Sequence, residues 1–555
     1  MIKRLGAAIS AGILLLSICT SCSHQGSGSN FTLETTEYTI GTGQNVKDVR
    51  SDEDTLMERE GEERTLRIGA YGENFVTSTL STIGYNNIIA ISCIYDCLFS
   101  KDYKTGEVVP QIAADYEFIP NEYGQLLHIT INENARFQSG DPITAGDCYN
   151  SIITRMDLVG AISSYLSGTV DQEHSYFEGD HDLYIQLYQY DRTILDFLCA
   201  PVLSIGNQSF EETATDDDMW DQVDGSGPFI VEEQISGDSV LLKVDDNYWG
   251  WGILDERPNY DYMSVKFYSD AATMMIDYEN GIIEACLGVS ISDTKRMVKE
   301  GLPHTNTRIA SSGNYTVICL PAYNEAFRDP RVREAIFLAI DTDATAQVAY
   351  GVLGNPMNSY VSSMASYRKE YQTNKYDPER AKKLLEEAGY GDGELSFYTV
   401  VSANDVSSVT LAETVQDFLS DVGVNLEIDT FDFPTALKLQ RNGTVDLCIT
   451  TFYTSNCDIS GCLVQLPEGS YNQAAWLTQL DQELEDNLNN GLYAATEEEA
   501  EEAYSWVQDW LDENLWYIPV VEYNNAFVCR DYVDDSGFYN LMHARDIRNL
   551  DLLAE

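Results

Sequence analysis

The stretch Ala135–Ile152, ARFQSGDPITAGDCYNSI, says more about the fold than any other part of this sequence. Within it, Thr144 and Asp147 have the spacing of a capping box, with aspartate in the acidic position, and they predict the start of a helix. The run directly before it predicts a β-strand through the alternation of Leu127, Ile129 and Ile131. A strand followed closely by a capped helix is expected of a protein that mixes both kinds of element.

Both signals recur along the chain after about Thr65. Two more helices are predicted at DPRVREAIFLAID and DPERAKKLLEEAGY, where Asp329 and Asp377 can cap the helix and a proline takes the first helical position. Other strands are predicted by apolar alternation, as in Leu66–Ile68–Ala70, Leu183–Ile185–Leu187 and Val424–Leu426–Ile428. Because strands and helices mix throughout, the sequence predicts an α/β fold class.

The N-terminus has the pattern of an export signal. Lys3 and Arg4 precede an apolar run that is shorter than the roughly 20 residues needed to span a bilayer. The small residues TS then stand directly before Cys22, which resembles a bacterial lipoprotein signal at residues 1–21 with Cys22 as the lipidated residue. An ordinary cleaved signal is the alternative. Residues 22–64 are polar and have no sustained apolar period, which predicts a flexible acidic tether.

The charge balance excludes one class of partner. The formal net charge is −57 at pH 7, with 90 acidic residues against 33 lysines and arginines. Such a surface repels phosphates, so no nucleic-acid partner is expected.

Twelve cysteines in an exported chain raise the question of a disulfide framework. Several of them stand where an apolar residue would pack, as Cys319 and Cys448 do inside predicted strands. We therefore expect mostly free thiols, with Cys457 and Cys462 as the best candidates for a disulfide.

An ordered series of segments resembles the family 5 extracellular solute-binding proteins of bacteria. The stretch Ala135–Ile152 is similar to the most distinctive signature of that family, R-F-x-x-G-x-P-x-T-A-x-D. YENGIIEACLG is similar to its G-x-I-D-x-A segment, with Glu284 in place of aspartate. The resemblance extends from about Thr65 to the end of the chain, and its other blocks are CIYDCLFSKDYKTGEVVPQIAADYEF, GSGPFIVEEQISGDSVLLKVDDNYWG, RDPRVREAIFLAID, YDPERAKKLLEEAGY, VQDFLSDVGVNLEIDTFDF and VDLCITTFY.

The resemblance implies a two-lobed, periplasmic-binding-protein-like fold of type II, with the ligand cleft between lobes that close by hinge motion. An extra subdomain is expected at residues 110–225 and the second lobe at residues 314–521. The first lobe would be discontinuous and comprise residues 65–109, 226–313 and 522–555.

The same resemblance implies a function in solute capture. We expect a lipid-anchored extracytoplasmic protein, on the outer face of the cytoplasmic membrane or in the periplasm, that acts as a monomer. It would deliver a small solute, expected to be a di- or oligopeptide, to the permease and ATPase complex of an ABC transporter. Other members of the family bind nickel complexes, haem, opines or sugars, so a non-peptide solute is one alternative, and a ligand sensor outside transport is another. No cofactor is expected.

The loop that follows the last predicted strand bears on the ligand. It lies in Leu447–Cys462, LCITTFYTSNCDISGC, where peptide-binding relatives usually resemble W-x-x-D-Y-x-D-P, with the first aspartate as the clamp for the α-ammonium of the peptide. Phe452 takes the tryptophan position, Ser455 takes the clamp position and Asp458 matches the second aspartate. Three interpretations stay open: Asp458 serves the ammonium, the ligand has no ammonium there, or the register is shifted by a few residues.

A few more residues complete the predicted site. They lie at the ends of predicted strands that face the expected cleft, and they are Tyr71, Asn74, Asn314 and Tyr453.

Catalysis and metal binding are not expected. The sequence has neither a G-x-S-x-G elbow nor an H-E-x-x-H motif. His174 and His181 lie among acidic residues in EHSYFEGDHDLY, which is more typical of an exposed acidic loop than of a metal site.

Overall fold

A computed structural model describes residues 64–71, 91–101, 107–156, 166–191, 193–207, 223–235, 237–403, 405–453, 459–463, 477, 480–537 and 544–553. The signal, residues 22–63 of the tether, Asn74, Ser455, Cys457 and Asp458 lie outside these residues.

The strands are numbered in chain order. They are β1 (Thr65–Tyr71), β2 (Phe99–Lys101), β3 (Val108–Pro110), β4 (Ala113–Asn121), β5 (Gly124–Ile131), β6 (Tyr176–Glu178), β7 (Asp182–Leu187), β8 (Phe229–Ile235), β9 (Ser239–Val244), β10 (Tyr262–Tyr268), β11 (Ala285–Leu287), β12 (Thr305–Cys319), β13 (Gly354–Pro356), β14 (Leu395–Ser402), β15 (Val424–Phe431), β16 (Cys448–Tyr453), β17 (Tyr517–Arg530), β18 (Val533–Asp534) and β19 (Asp551–Leu552).

The α-helices follow the same order. They are α1 (Ala145–Met156), α2 (Ile194–Phe197), α3 (Ala271–Glu279), α4 (Ile291–Glu300), α5 (Pro330–Ala339), α6 (Thr342–Tyr350), α7 (Pro378–Ala388), α8 (Val406–Asp421), α9 (Phe433–Arg441), α10 (Ile459–Leu463), α11 (Gln482–Leu492) and α12 (Glu497–Asn514).

Helix α1 begins where the capping box predicts. The Asp147 carboxylate accepts a hydrogen bond from the Thr144 backbone N–H at 2.9 Å, and the Asp147 N–H donates to Thr144 Oγ1 at 3.2 Å. These reciprocal bonds satisfy donors that the first helical turn leaves unpaired. The Asp329 and Asp377 side chains cap α5 and α7 in the same role, so these helix starts are confirmed.

One large sheet runs through the molecule in the order β16-β12-β17-β11-β1-β10-β9-β8, with β13 also paired to β17. Strand β1 is parallel to both of its neighbours, β10 and β11, whereas β12 and β17 are antiparallel to each other. A second sheet, in the order β4-β5-β7-β6, and a parallel pair, β14-β15, stand apart from it.

The buried apolar residues form separate clusters. Core 1 contains Leu66, Val265 and Phe527 and packs on the β1-β10-β11 part of the large sheet. Core 2 lies under the four-stranded sheet, with buried residues between positions 98 and 205. Core 3 is larger and contains buried residues between positions 315 and 521. A smaller cluster around Met274 and Tyr278 joins α3 to the large sheet.

Strands β12 and β17 connect cores 1 and 3. The first half of β17 contributes Ile518 and Val520 to core 3, and its last part contributes Phe527 to core 1. Strand β12 runs the opposite way beside it, with Thr305 opposite Arg530 and Cys319 opposite Tyr517. Two antiparallel strands therefore carry the chain from one core to the other.

In the described residues, no helix combines the length and apolar composition needed to cross a membrane.

Candidate functional site

The pair β12–β17 changes register midway between the two cores. Pairing shifts between Ser311 and Tyr315, and Gly313 within this interval has a φ of +64°, a conformation that glycine adopts without a steric penalty. A side chain joins the two strands where the backbone pairing is interrupted, since Ser312 Oγ donates to the Tyr523 carbonyl at 2.6 Å. An interrupted ladder between two cores is a place where the backbone can bend, and such hinge positions border the cleft in two-lobed binding proteins.

A buried carboxylate lies at this interruption. Glu522 is 6% exposed, and its Oε1 accepts hydrogen bonds from Ser311 Oγ at 3.0 Å, Ser362 Oγ at 3.1 Å and Ser363 Oγ at 2.7 Å. Its Oε2 accepts from the Ser363 backbone N–H at 2.7 Å. All of these donors are neutral. Glu522 therefore ties β12 to the segment Ser359–Ser366 and places its carboxyl oxygens at this interruption of the β12–β17 pair, which we call the crossing.

A buried amide lies two residues further along β17. Asn524 is 4% exposed and opposes Ser311 across the ladder, yet its Nδ2 makes no hydrogen bond among the described residues. A buried donor left unpaired costs roughly 1–3 kcal/mol. Within the part of the chain that the structure describes, the crossing thus combines a buried acceptor group with a buried donor that has no acceptor.

Tyrosine rings flank the crossing. Tyr523 stacks on Tyr350 with ring centroids 5.0 Å apart and planes at 12°. Burial raises the pKa of Tyr350 to about 12, so this phenol stays protonated. Rings with an apolar body and a polar tip suit a site that must hold mixed polar and apolar groups.

The structure places two predicted site residues side by side. Asn314 on β12 is directly opposite Tyr453 on β16. Phe452, one residue earlier, is 4% exposed and packs edge-to-face on Tyr315 and Tyr517, with ring centroids 5.5 and 5.9 Å apart. The ring of Phe452 is thus part of core 3, and its predicted contact with a ligand stays a prediction.

Tyr71 lies at the carboxyl end of β1, an interior strand of the large sheet. It is the last residue of β1 and is 44% exposed. Gly288 directly follows the parallel strand β11 and approaches Tyr71 so closely that a Cβ there would be 3.3 Å from the Tyr71 Cβ. Ligands of open α/β sheets bind outside the carboxyl ends of the strands, which is where Tyr71 lies.

The loop with Ser455 and Asp458 lies outside the described residues, and the described chain resumes at Ile459. The Ile459 backbone N–H, at the start of α10, donates to Ser366 Oγ at 3.3 Å. Ser366 ends the segment Ser359–Ser366, whose middle part contacts Glu522. One segment therefore contacts both Ile459 at the start of α10 and Glu522 at the crossing.

Glu522, Ser362, Ser363 and Asn524 were not predicted as site residues. One local signal points to Glu522, because YIPVVEYNNAFV places a single acid inside a long apolar strand. A fully buried acid requires partners, so this pattern indicates a specific role for its carboxylate. No local signal indicates the serines.

The described residues bring together no group of three or more His, Cys, Asp or Glu side chains suited to a metal ion. His174 Nδ1 instead lies 2.7 Å from a carboxylate oxygen of Asp171.

Comparisons with solved structures define the fold. The periplasmic binding protein AgaA of A. tumefaciens R10, solved with agropinic acid, superposes with a TM-score of 0.73 at 20% identity, covering 88% of this chain and 99% of that one. DppA of Helicobacter pylori, solved with the peptide STSA, gives a TM-score of 0.73 at 19% identity, covering 89% and 99%. The fold is therefore the mixed α/β fold of the periplasmic binding proteins, as the sequence predicts.

Sequence comparison gives the family. The model of the bacterial extracellular solute-binding proteins, family 5, matches residues 107–471, and the chain belongs to this family. It is 24% identical to heme-binding protein A of Haemophilus influenzae, over 61% of this chain and 63% of that protein. It is 26% identical to the glutathione-binding protein GsiB of Salmonella typhimurium, over 41% and 44%. These alignments span less than two-thirds of the curated relatives. The predicted family resemblance is confirmed.

Proposed function

We propose that this protein captures a di- or oligopeptide outside the cytoplasm and delivers it to an ABC transporter permease for import. The observation that carries the proposal is a buried carboxylate, Glu522, two residues from a buried amide, Asn524, whose Nδ2 has no partner among the described residues, at the interrupted β12–β17 crossing. A peptide main chain offers both donors and acceptors to such a surface. Relatives described as binding glutathione and the peptide STSA support the same ligand class.

The proposal includes a division into lobes. Residues 65–109, 226–313 and 522–555 would form the first lobe, and residues 314–521 the second, with 110–225 as an extra subdomain. Support comes from the separate cores, since core 3 spans positions 315–521 and core 2 spans positions 98–205. The cleft would lie beside the crossing strands, where Asn314, Tyr453 and Tyr71 are predicted to line it together with Asn74, Ser455 and Asp458.

Binding without turnover is part of the proposal. The family relatives are solute-binding proteins, and the polar cluster at the crossing consists of hydroxyl, amide and carboxylate groups that suit recognition. A solute recovered unchanged in mass after incubation with the protein is the expected result, whereas conversion to a product contradicts this part.

Native mass spectrometry of the body from Thr65 onward tests the ligand class. We expect a ladder of bound masses that fit short peptides, because main-chain contacts tolerate different side chains. Asp458→Ala should weaken the affinity for a recovered peptide about ten-fold, since a hydrogen bond to a charged group contributes roughly 1.5–3 kcal/mol. Thermal stability should stay nearly unchanged.

The matched control for this experiment is Asp417→Ala, which removes an exposed carboxylate from α8. It should leave peptide affinity as in the parent protein. One discrete non-peptide mass would overturn the peptide proposal in favour of another solute. Equal affinity of the parent and Asp458→Ala proteins would remove Asp458 from the site.

Membrane attachment is proposed to occur through a lipid on Cys22. Cys22→Ser should release the protein from the membrane fraction, because a serine cannot carry the thioether-linked lipid. Metabolic labelling with a fatty-acid analogue and membrane fractionation measure this directly. A Cys22→Ser protein that is still acylated and membrane-bound would rule out this attachment site.

A further inference from the structure

The outer face of the four-stranded sheet carries a row of side chains in register. Glu117 on β4 is opposite His128 on β5, His128 is opposite Tyr184 on β7, and Tyr184 is opposite Tyr176 on β6. The rings stack along this row, with centroids 4.5 Å apart for His128–Tyr184 and 4.6 Å apart for Tyr184–Tyr176. These residues alternate with core residues such as Leu127, so the row lies on the face away from core 2.

Carboxylates hold the row in place. His128 Nε2 lies 2.8 Å from an Asp182 carboxylate oxygen, and His128 Nδ1 lies 3.3 Å from Glu117 Oε1. The imidazole is therefore fixed from both sides, and it fixes Tyr184 in turn. Tyr176, at the end of the row on the edge strand β6, is 43% exposed.

A second stack on the same sheet has the same construction. Tyr123, in the turn between β4 and β5, is 48% exposed and stacks on His174 with ring centroids 3.9 Å apart. Asp171 lies 2.7 Å from His174 Nδ1 and holds this imidazole. His174 precedes Tyr176 by two residues, so both stacks end in an exposed tyrosine near β6.

The charge around these rings has one sign. Residues 113–131 and 171–187 contain no lysine or arginine. They contain eight carboxylates, which are Asp115, Glu117, Glu122, Asp171, Glu173, Glu178, Asp180 and Asp182. In the described contacts, the basic side chains that pair with Glu117, Asp171 and Asp182 are the histidines of the two stacks alone. We call this surface, formed by the outer face of β4-β5-β7-β6 with its two ring stacks, the aromatic acidic face.

We propose that the aromatic acidic face docks a basic segment of a partner polypeptide. The face of a tyrosine ring attracts a cation through its quadrupole, and the neighbouring carboxylates add direct charge attraction. Lysine or arginine side chains that lie against Tyr176 and Tyr123 would contact the tyrosine rings and the neighbouring carboxylates at the same time. The fixed rings reduce the entropy lost on binding, because the histidine contacts already hold them in one geometry.

The dimensions favour a polypeptide over a small cation. Adjacent strands are about 4.8 Å apart, so the four-strand row from Glu117 to Tyr176 extends about 14 Å, several times the reach of one ammonium group. An anionic membrane surface is disfavoured, because the same carboxylates would repel it. This proposal does not depend on which solute the cleft binds.

The test measures binding of a fluorescein-labelled alternating lysine–alanine peptide to the full chain at physiological salt. Tyr176→Ser and Tyr123→Ser should each weaken binding about two- to five-fold, which corresponds to about 0.5–1 kcal/mol for an exposed cation–π contact. Tyr376→Ser is the matched control, since Tyr376 is 40% exposed, lies outside the four-stranded sheet and has the carboxylates of Asp421 and Asp341 nearby. It should leave binding unchanged, and none of the three substitutions alters net charge.

Amide hydrogen exchange of the unmodified protein, measured with and without the peptide, locates the binding surface without relying on the folding of any variant. The peptide should protect amides of β6 and of the β4–β5 turn. Protection elsewhere only, or equal weakening by all three variants, would overturn the proposal, because the peptide would then bind in the proposed cleft or through overall charge. Binding of a neutral oligosaccharide or of anionic vesicles at this face, without the peptide, would overturn it as well.

Discussion

Arg548→Met is expected to lower the free energy of unfolding by about 3–5 kcal/mol, the range seen when one member of a buried ion pair is removed. Arg548 is 5% exposed, and its guanidinium lies 2.8 Å from Asp96 Oδ1 and 2.6 Å from Asp255 Oδ2. Methionine fills much of the same volume but carries no charge. Two buried or nearly buried carboxylates would then lose their cation, and this loss accounts for most of the expected decrease in the free energy of unfolding.

The network around Arg548 joins three distant parts of the chain. Tyr248 Oη donates to Asp96 Oδ2 at 2.8 Å, and Arg548 also donates to the Ser92 carbonyl at 3.1 Å. Burial by itself lowers the pKa of Arg548, but the charges of Asp255 and Asp96 outweigh it and hold the pKa well above its ordinary value. The guanidinium therefore stays cationic, and the C-terminal segment stays attached to the helical turn at residues 91–94.

Urea unfolding followed by tryptophan fluorescence measures this effect. Arg380→Met is the matched control, because the Arg380–Glu387 pair on α7 is 3.5 Å long with side chains 45% and 55% exposed. Exposed pairs contribute only about 0–1 kcal/mol, so the control should unfold nearly as the parent protein does. A loss below about 1 kcal/mol for Arg548→Met would mean that water reaches Asp96 and Asp255 and replaces the lost cation.

The local parts of the fold are predictable from sequence because their causes are local. A capping box requires only Thr144 and Asp147, three residues apart, and both hydrogen bonds form as predicted. Asp377 and Gly389 likewise bound α7, with Gly389 in the left-handed conformation at φ +97°. Alternation predicts strands for the same reason, because successive side chains of a strand point to opposite faces of the sheet and the buried face is apolar. The family signature then adds an order of elements that no single segment specifies.

The polar networks are not predictable in this way. Arg548 and Asp96 are 452 residues apart, and Ser311 and Glu522 are 211 apart. Ninety acidic residues offer many equivalent partners, and only the sheet register decides which pair meets. The contacts of the candidate site are equally long-range. Glu522 meets Ser362 and Ser363 only because the fold brings the Ser359–Ser366 segment beside β17. The roles of Ser455 and Asp458 stay predictions.

Gly225→Ala is expected to destabilise the protein by about 3 kcal/mol, at the upper end of the cost of overpacking. Gly225 belongs to the GSGP sequence, which packs against the helical turn at residues 91–94. A Cβ at Gly225 would overlap the Ile94 carbonyl oxygen and lie 2.8 Å from Ile94 Cγ2. Backbone atoms cannot rotate away as a side chain can, so the two segments must separate.

That separation would break the contact between two of the sequence blocks that define the family. The Gln138 backbone N–H, in the stretch Ala135–Ile152, donates to the Gly225 carbonyl at 2.8 Å, and Gln138 Nε2 donates to the Gly227 carbonyl at 3.1 Å. The Asp96 N–H donates to Ser226 Oγ at 2.8 Å, so the Arg548 network is attached to the same turn. A single methyl group at Gly225 would therefore loosen the stretch, the turn and the buried ion pair together.

The control for this substitution is Gly168→Ala, in the helical turn at residues 166–169. A Cβ at Gly168 meets no atom of the described residues within 4 Å, and alanine favours helix over glycine by about 1 kcal/mol, so this variant should be as stable as the parent or slightly more stable. Urea midpoints of both variants decide the matter. If Gly225→Ala unfolds at the parent midpoint, the turn can shift without cost, and the GSGP glycines are not needed for close packing. If it unfolds early while Gly168→Ala does not, steric exclusion at Ile94 is the reason that glycine stands at position 225.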